Sequence, residues 1–193
     1  VITNSKRIAE YVTSARSHGL TRNLADRYSK GKPWDYDIIN PGFNYRLDEI
    51  RASLGLSQLK RINSLNSKRF LASKYYSKQL EEIPGITTPE IFRGKEHTYH
   101  LYIIRIKNEF GQNRDVVFKE LKKAGIHVSL HYKPLHRFSA YKNLTKTYGK
   151  LDNSEQIYKE SLSLPLYPSI SKKQQDLVIH NIEKYEGRRR SRY

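Results

Sequence analysis

Residues 41–61 read PGFNYRLDEIRASLGLSQLKR, a short polar loop that runs straight into a long amphipathic pattern. Gly42 permits a turn or a close backbone approach, Asn44 offers an amide that both donates and accepts, and Arg46 carries a planar cation suited to carboxylate or phosphate. From Asp48 onward Ile50, Leu54, Leu59 and Ile62 recur at helical spacing, so a helix with one buried face is expected from near Leu47. The loop carries chemistry and the helix carries architecture. A plainer reading of the same residues has Asn44 stabilising a turn and Arg46 pairing with Asp48 or Glu49.

On the C-terminal side of this stretch, the helical pattern continues past Gly55 to about Leu80, with Leu65, Phe70 and Leu71 maintaining the apolar stripe. A helix longer than about 25 residues often links two domains, which places a boundary within 63–68. On the N-terminal side, Val1-Ile2-Thr3 reads as the end of a strand, and Asn4 caps a helix over 5–17 whose inward residues are Ile8, Tyr11, Val12 and Ala15. Gly19 stops that helix. Residues 23–40 read as a polar loop, with turn chemistry at Lys30-Gly31-Lys32-Pro33 and Trp34 as a packing anchor.

Beyond the long helix, ended by Ile83-Pro84-Gly85, the composition shifts. Residues 97–106 are rich in β-branched and aromatic side chains and predict a strand, 114–124 an amphipathic helix stopped by Gly125, and 126–131 a second strand. Together these make a small α/β layer. Its last strand runs into His131-Tyr132-Lys133-Pro134-Leu135-His136. Two histidines five residues apart invite a metal reading, but no Asp, Glu or Cys stands close to complete a ligand set, so no metal site is expected. A helix over 153–162, a stiff connector at Ser163-Leu164-Pro165-Leu166-Tyr167-Pro168 and a last helix capped by Ser171 complete the chain.

Composition sets outer limits. The 193 residues are 37% hydrophobic, and no apolar run reaches the roughly 20 residues of a membrane helix. The first residues lack a signal-peptide pattern, and the absence of cysteine excludes disulfide and thiolate chemistry, so a cytoplasmic protein is expected. The formal charge of +17 favours anionic partners, yet its one dense cluster is 187–193, GRRRSRY, which reads as a solvated tail. With no zinc-finger or RNA-recognition signature, a nucleic-acid partner is not expected.

Several of these segments together resemble one family. Gly42-Phe43-Asn44-Tyr45-Arg46, Gly55-Leu56-Ser57-Gln58-Leu59, the segment from Arg16 to Arg22, Ala124-Gly125-Ile126, His131 to His136 and Ser163 to Pro168 resemble, in order over 1–185, the DegT/DnrJ/EryC1/StrS sugar aminotransferases, which are pyridoxal-phosphate enzymes. The resemblance implies an α/β chain that is the C-terminal part of the aspartate-aminotransferase-like fold (fold type I), with a small α/β C-terminal domain. Residues 1–62 would close the large cofactor domain and begin the linking helix, 63–186 would form the small domain, and 187–193 a basic tail. The implied function is transfer of an amino group, from glutamate, to a keto group of a nucleotide-linked sugar in surface-polysaccharide or glycan synthesis, by a homodimer with shared active sites.

Carried over residue by residue, Asn44 contacts the phosphate of pyridoxal 5'-phosphate, while Arg46, His131, Tyr132 and His136 contact the sugar nucleotide. No residue is assigned to catalysis. The family's lysine that bonds the cofactor precedes the segment matching 1–4, and neither Lys6 nor Lys32 stands at its place. The chain therefore looks like an incomplete C-terminal half of a transaminase, whose activity alone is left open. The alternatives are a non-catalytic subunit that supplies these side chains to a partner aminotransferase, and a basic polyanion-binding module.

Overall fold

A computed structural model describes residues 1–21, 36–90, 94, 96–142 and 149–187. Arg22, the turn at Lys30 to Pro33, Trp34 and the basic tail beyond Gly187 lie outside the described residues. The chain divides into two compact units, Val1–Lys60 and Arg61–Tyr193.

In the first unit, helix α1 is Lys6–Ala15. Ser5 rather than Asn4 is its N-cap, the hydroxyl accepting the Ile8 N–H at 3.4 Å. No strand forms at 1–3. Helix α2, Glu49–Lys60, opens where Asp48 Oδ1 accepts the Arg51 N–H at 2.9 Å. The buried face expected for α2 is absent: none of its residues is buried, and Ile50 is 81% exposed. Amphipathic spacing names the side that needs cover, and among the described residues of this unit no apolar layer covers it. The same holds for Ile8 and Tyr11 on α1, where only Ala15 is fully buried.

The second unit opens with α3, Ile62–Leu80, so the single helix expected over 47–80 is two, interrupted at Arg61. Its buried seam is Ala72, Ser73, Tyr76 and Leu80, with Leu65 half-buried on the same side. Phe70 and Leu71, expected inside, are exposed. Strands β1 (Ile86–Thr87), β2 (Tyr102–Ile106) and β3 (Ser161–Leu164) form an antiparallel sheet in the order β1-β2-β3. Tyr102 pairs with Leu164 and Ile104 with Leu162, and Tyr102, Ile104 and Ile106 point into the core.

Two strand expectations change. The strand expected over 97–106 keeps only its second half, because Tyr99 turns the chain with φ +47°. The one expected over 126–131 reduces to a single bridge between Ser129 and Ser163, whose main-chain bonds measure 3.2 and 2.9 Å. In its stead β3 pairs with β2 where a helix end and a connector were expected.

Helices α4 (Arg114–Lys123), α5 (Ser139–Lys142), α6 (Asp152–Glu160) and α7 (Lys172–Glu183) complete the unit. Asn113 caps α4 and Ser171 with Gln174 forms a capping box on α7. Val117 and Leu121 of α4, Val178 and Ile182 of α7, and Tyr76 and Leu80 of α3 meet the inward side chains of the sheet in one core.

Candidate functional site

The 41–46 loop is built against the end of α1. Phe43 N–H donates to the Ala15 carbonyl at 2.6 Å, His18 N–H to the Phe43 carbonyl at 2.9 Å, and Tyr45 N–H to the Arg16 carbonyl at 2.9 Å. This contact requires glycine. A Cβ on Gly42 would stand 2.2 Å from Gly19 N, and one on Gly19, at φ +73°, would stand 1.8 Å from the Asn40 carbonyl oxygen.

Along the extended loop, side chains alternate. Phe43 and Tyr45 stack with ring centroids 4.9 Å apart, which leaves Asn44 and Arg46 to share the other side. Arg46 Nη2 donates to Ser17 Oγ at 3.2 Å, and Asp48 pairs with Arg51 at 3.1 Å instead. Among the described residues no carboxylate neutralises Arg46. An exposed amide beside an uncompensated guanidinium is a donor set for phosphate, and so fits a phosphorylated cofactor or ligand.

In the second unit, His131 Nδ1 lies 2.8 Å from the hydroxyl of buried Ser163, and the Tyr132 ring stands edge-on to the imidazole at 4.7 Å. Both line a cavity of about 310 Å³ with Arg114, Ser154, Ile157 and Tyr158. His136 does not line it. Its Nε2 lies 2.5 Å from Glu155 Oε1, and Arg137 holds both oxygens of the same carboxylate. Bonds donated by Arg137, and then by His136, hold the Glu155 carboxyl below the usual carboxylate range. Among the described residues no three His, Asp or Glu gather as metal ligands, and no helix is long and apolar enough to cross a membrane.

Ser163, Glu155 and Arg114 escaped the reading of the sequence. Ser163 stood in a segment taken for a connector, and Arg114 looked like one more basic residue on an amphipathic helix. Their neighbours come from positions far along the chain, which no local spacing announces.

Residues 1–183 match the sequence profile of the DegT/DnrJ/EryC1/StrS aminotransferase family. The chain is 33% identical over 178 residues to the UDP-4-amino-4,6-dideoxy-N-acetyl-beta-L-altrosamine transaminase of Campylobacter jejuni, covering 92% of itself and 45% of that protein. It is 31% identical to the spore coat polysaccharide biosynthesis protein SpsC of Bacillus subtilis, covering 93% and 47%. Its fold superposes on Helicobacter pylori PseC, an aminotransferase involved in the biosynthesis of pseudoaminic acid, with a TM-score of 0.83 at 28% identity, over 95% of this chain and 47% of that one. The chain thus spans about half the length of the curated relatives it matches, its α/β fold is the one found in about half of the PseC aminotransferase, and the aminotransferases of this family depend on pyridoxal phosphate.

Proposed function

The chain belongs to the DegT/DnrJ/EryC1/StrS aminotransferase family, and from that premise we propose that it serves a cytoplasmic transamination that moves an amino group from glutamate to a keto group of a nucleotide-linked sugar, for polysaccharide or glycan synthesis. The observation that carries this reading is the 42–46 loop, pinned to Ala15, Arg16 and His18 with Asn44 beside an Arg46 that no described carboxylate claims. Pyridoxal 5'-phosphate, when bound, supplies the electron sink that lets the amino group leave its donor.

The residues of this chain bind and orient. Asn44 donates its amide N–H to a phosphate oxygen of the cofactor, and Arg46 offers the fork of its guanidinium to the phosphates of the sugar nucleotide. His131, anchored through Nδ1 to Ser163, presents Nε2 to the substrate, and Tyr132 lays a largely exposed ring beside it. His136 has a supporting place, its Nε2 being engaged by Glu155. The lysine that bonds the cofactor is assigned to no residue of this chain. Residues 1–62 belong to the cofactor domain and 63–186 to the small domain, within a homodimer whose active sites are shared between subunits.

The test uses the whole protein that carries this sequence, loaded with cofactor. Glutamate is expected to bleach the cofactor's visible band and release 2-oxoglutarate, and a UDP-linked 4-keto sugar to restore the band. Arg46→Ala should raise KM for the sugar nucleotide and leave the glutamate half-reaction unchanged. A band indifferent to glutamate sinks the proposal.

A further inference from the structure

Arg114 is the first residue of α4, and its side chain is 5% exposed. Nε donates to Asp115 Oδ1 at 2.6 Å and Nη1 to the Ser161 carbonyl at 2.9 Å. The guanidinium lies over the Tyr158 ring, 5.3 Å from its centroid, and Arg137 lies 5.2 Å from the same ring. A guanidinium has five N–H donors, so these bonds leave Nη2 without a protein acceptor among the described residues.

Arg114 has two open spaces beside it. One is the cavity of about 310 Å³ that His131 and Tyr132 line; the other is a cleft of about 790 Å³ that also takes in Lys107 and Lys159. In the smaller cavity Arg114 carries the only formal charge of the described lining, with His131 as the other nitrogen group that can bear one. Asp115, exposed, takes Nε, and the Glu155 charge is met by Arg137 and His136. A neutral donor would suffice to tie α4 to the Ser161 carbonyl. Asp115, itself exposed, meets the charge of this nearly buried cation at Nε alone, and the Nη2 end is left for a second anion.

We propose that Arg114 is an oxyanion-recognising residue of the His131–Tyr132 pocket, its Nη2 taking a phosphate oxygen of the sugar nucleotide while Nε and Nη1 keep their bonds to Asp115 and Ser161. The inference rests on the nucleotide-sugar reading given above.

The test is calorimetric titration of the full chain with UDP, inorganic pyrophosphate and uridine, repeated on Arg114→Gln, Asp115→Asn and His131→Ala, each checked for fold by circular dichroism. Arg114→Gln is expected to weaken UDP and pyrophosphate by roughly tenfold or more, the loss of one charge-assisted hydrogen bond, and to leave uridine unchanged. Asp115→Asn, which touches an exposed side chain, should tighten pyrophosphate about two- to threefold by removing the charge that offsets the guanidinium. Folded Arg114→Gln that binds UDP as the parent does, while His131→Ala loses it, overturns the role of Arg114 and spares the pocket. UDP that binds nowhere, or ignores both variants, overturns both readings. If Arg114→Gln does not fold, Asp115→Asn decides: unchanged or weaker pyrophosphate binding overturns the proposal.

Discussion

Tyr76 and Tyr102 stack in the core with centroids 5.2 Å apart, yet their hydroxyls are treated differently. Tyr102 Oη lies 2.9 Å from Ser77 Oγ, whereas Tyr76 Oη has no hydrogen-bond partner among the described residues, and burial pushes both phenols above their ordinary value. A sealed hydroxyl without a bond costs free energy that a phenyl ring of the same shape does not. Tyr76→Phe should therefore be neutral or stabilising by about 1 kcal/mol, while Tyr102→Phe should cost about 1 kcal/mol, read from denaturant midpoints at constant slope. A larger loss at Tyr76 than at Tyr102 would refute the assignment.

Glu155 gives a test in pH. Because its carboxyl is lowered in the folded state, its contribution is complete above the unfolded carboxylate range and disappears as pH falls through the lower folded value. The stability gap between the parent and Glu155→Gln should be widest near neutrality and close on acidification; a gap constant with pH would remove the pairing with Arg137 and His136. Nothing local announced this pairing, since 18 and 19 residues separate Glu155 from those partners.

At the scale of the element, the 42–46 loop was legible because each residue type there has a narrow use, and Gly42 has the narrowest. Gly42→Ala must displace backbone, since its nearest obstacles are the Gly19 nitrogen and the His18 carbonyl carbon. A cost of about 1–3 kcal/mol is expected from such overpacking, seen as faster amide exchange at His18 and Tyr45 on the order of tenfold, with the second unit unaffected. Equal protection in both proteins would mean that the contact is loose. The boundary of α1 moved by one residue because Asn4 and Ser5 are both able caps. β3 was missed for another reason: Ser161-Leu162-Ser163-Leu164 is only four residues long and half of it is polar. Its strand character comes from its partner β2, whose apolar alternation is clear.

For the whole molecule, the order of short segments from Arg16 to Pro168 announced the family, while periodicity misjudged which faces are covered. Ile50, Leu54 and Leu59 on α2 recur as a buried stripe should, yet all stay exposed. Such a face calls for a partner. On the homodimer reading, light scattering should give a particle mass above that of the 22.7 kDa chain, and Ile50→Glu with Leu54→Glu should lower it toward the single chain. A monodisperse monomer of the parent chain would count decisively against that assembly.

The pairing of β3 bears on how such a pocket can change over generations. Leu162 and Leu164 join the core, whereas Ser161 holds Arg114 through its carbonyl and Ser163 holds His131 through its hydroxyl. Strand period is two, so gaining or losing one residue here would exchange the two sets, sending leucine to the pocket and serine to the core. Drift in what the pocket accepts must then proceed by replacement at fixed length in 155–164, and length variation among descendants should gather elsewhere, in connections that carry no such double duty.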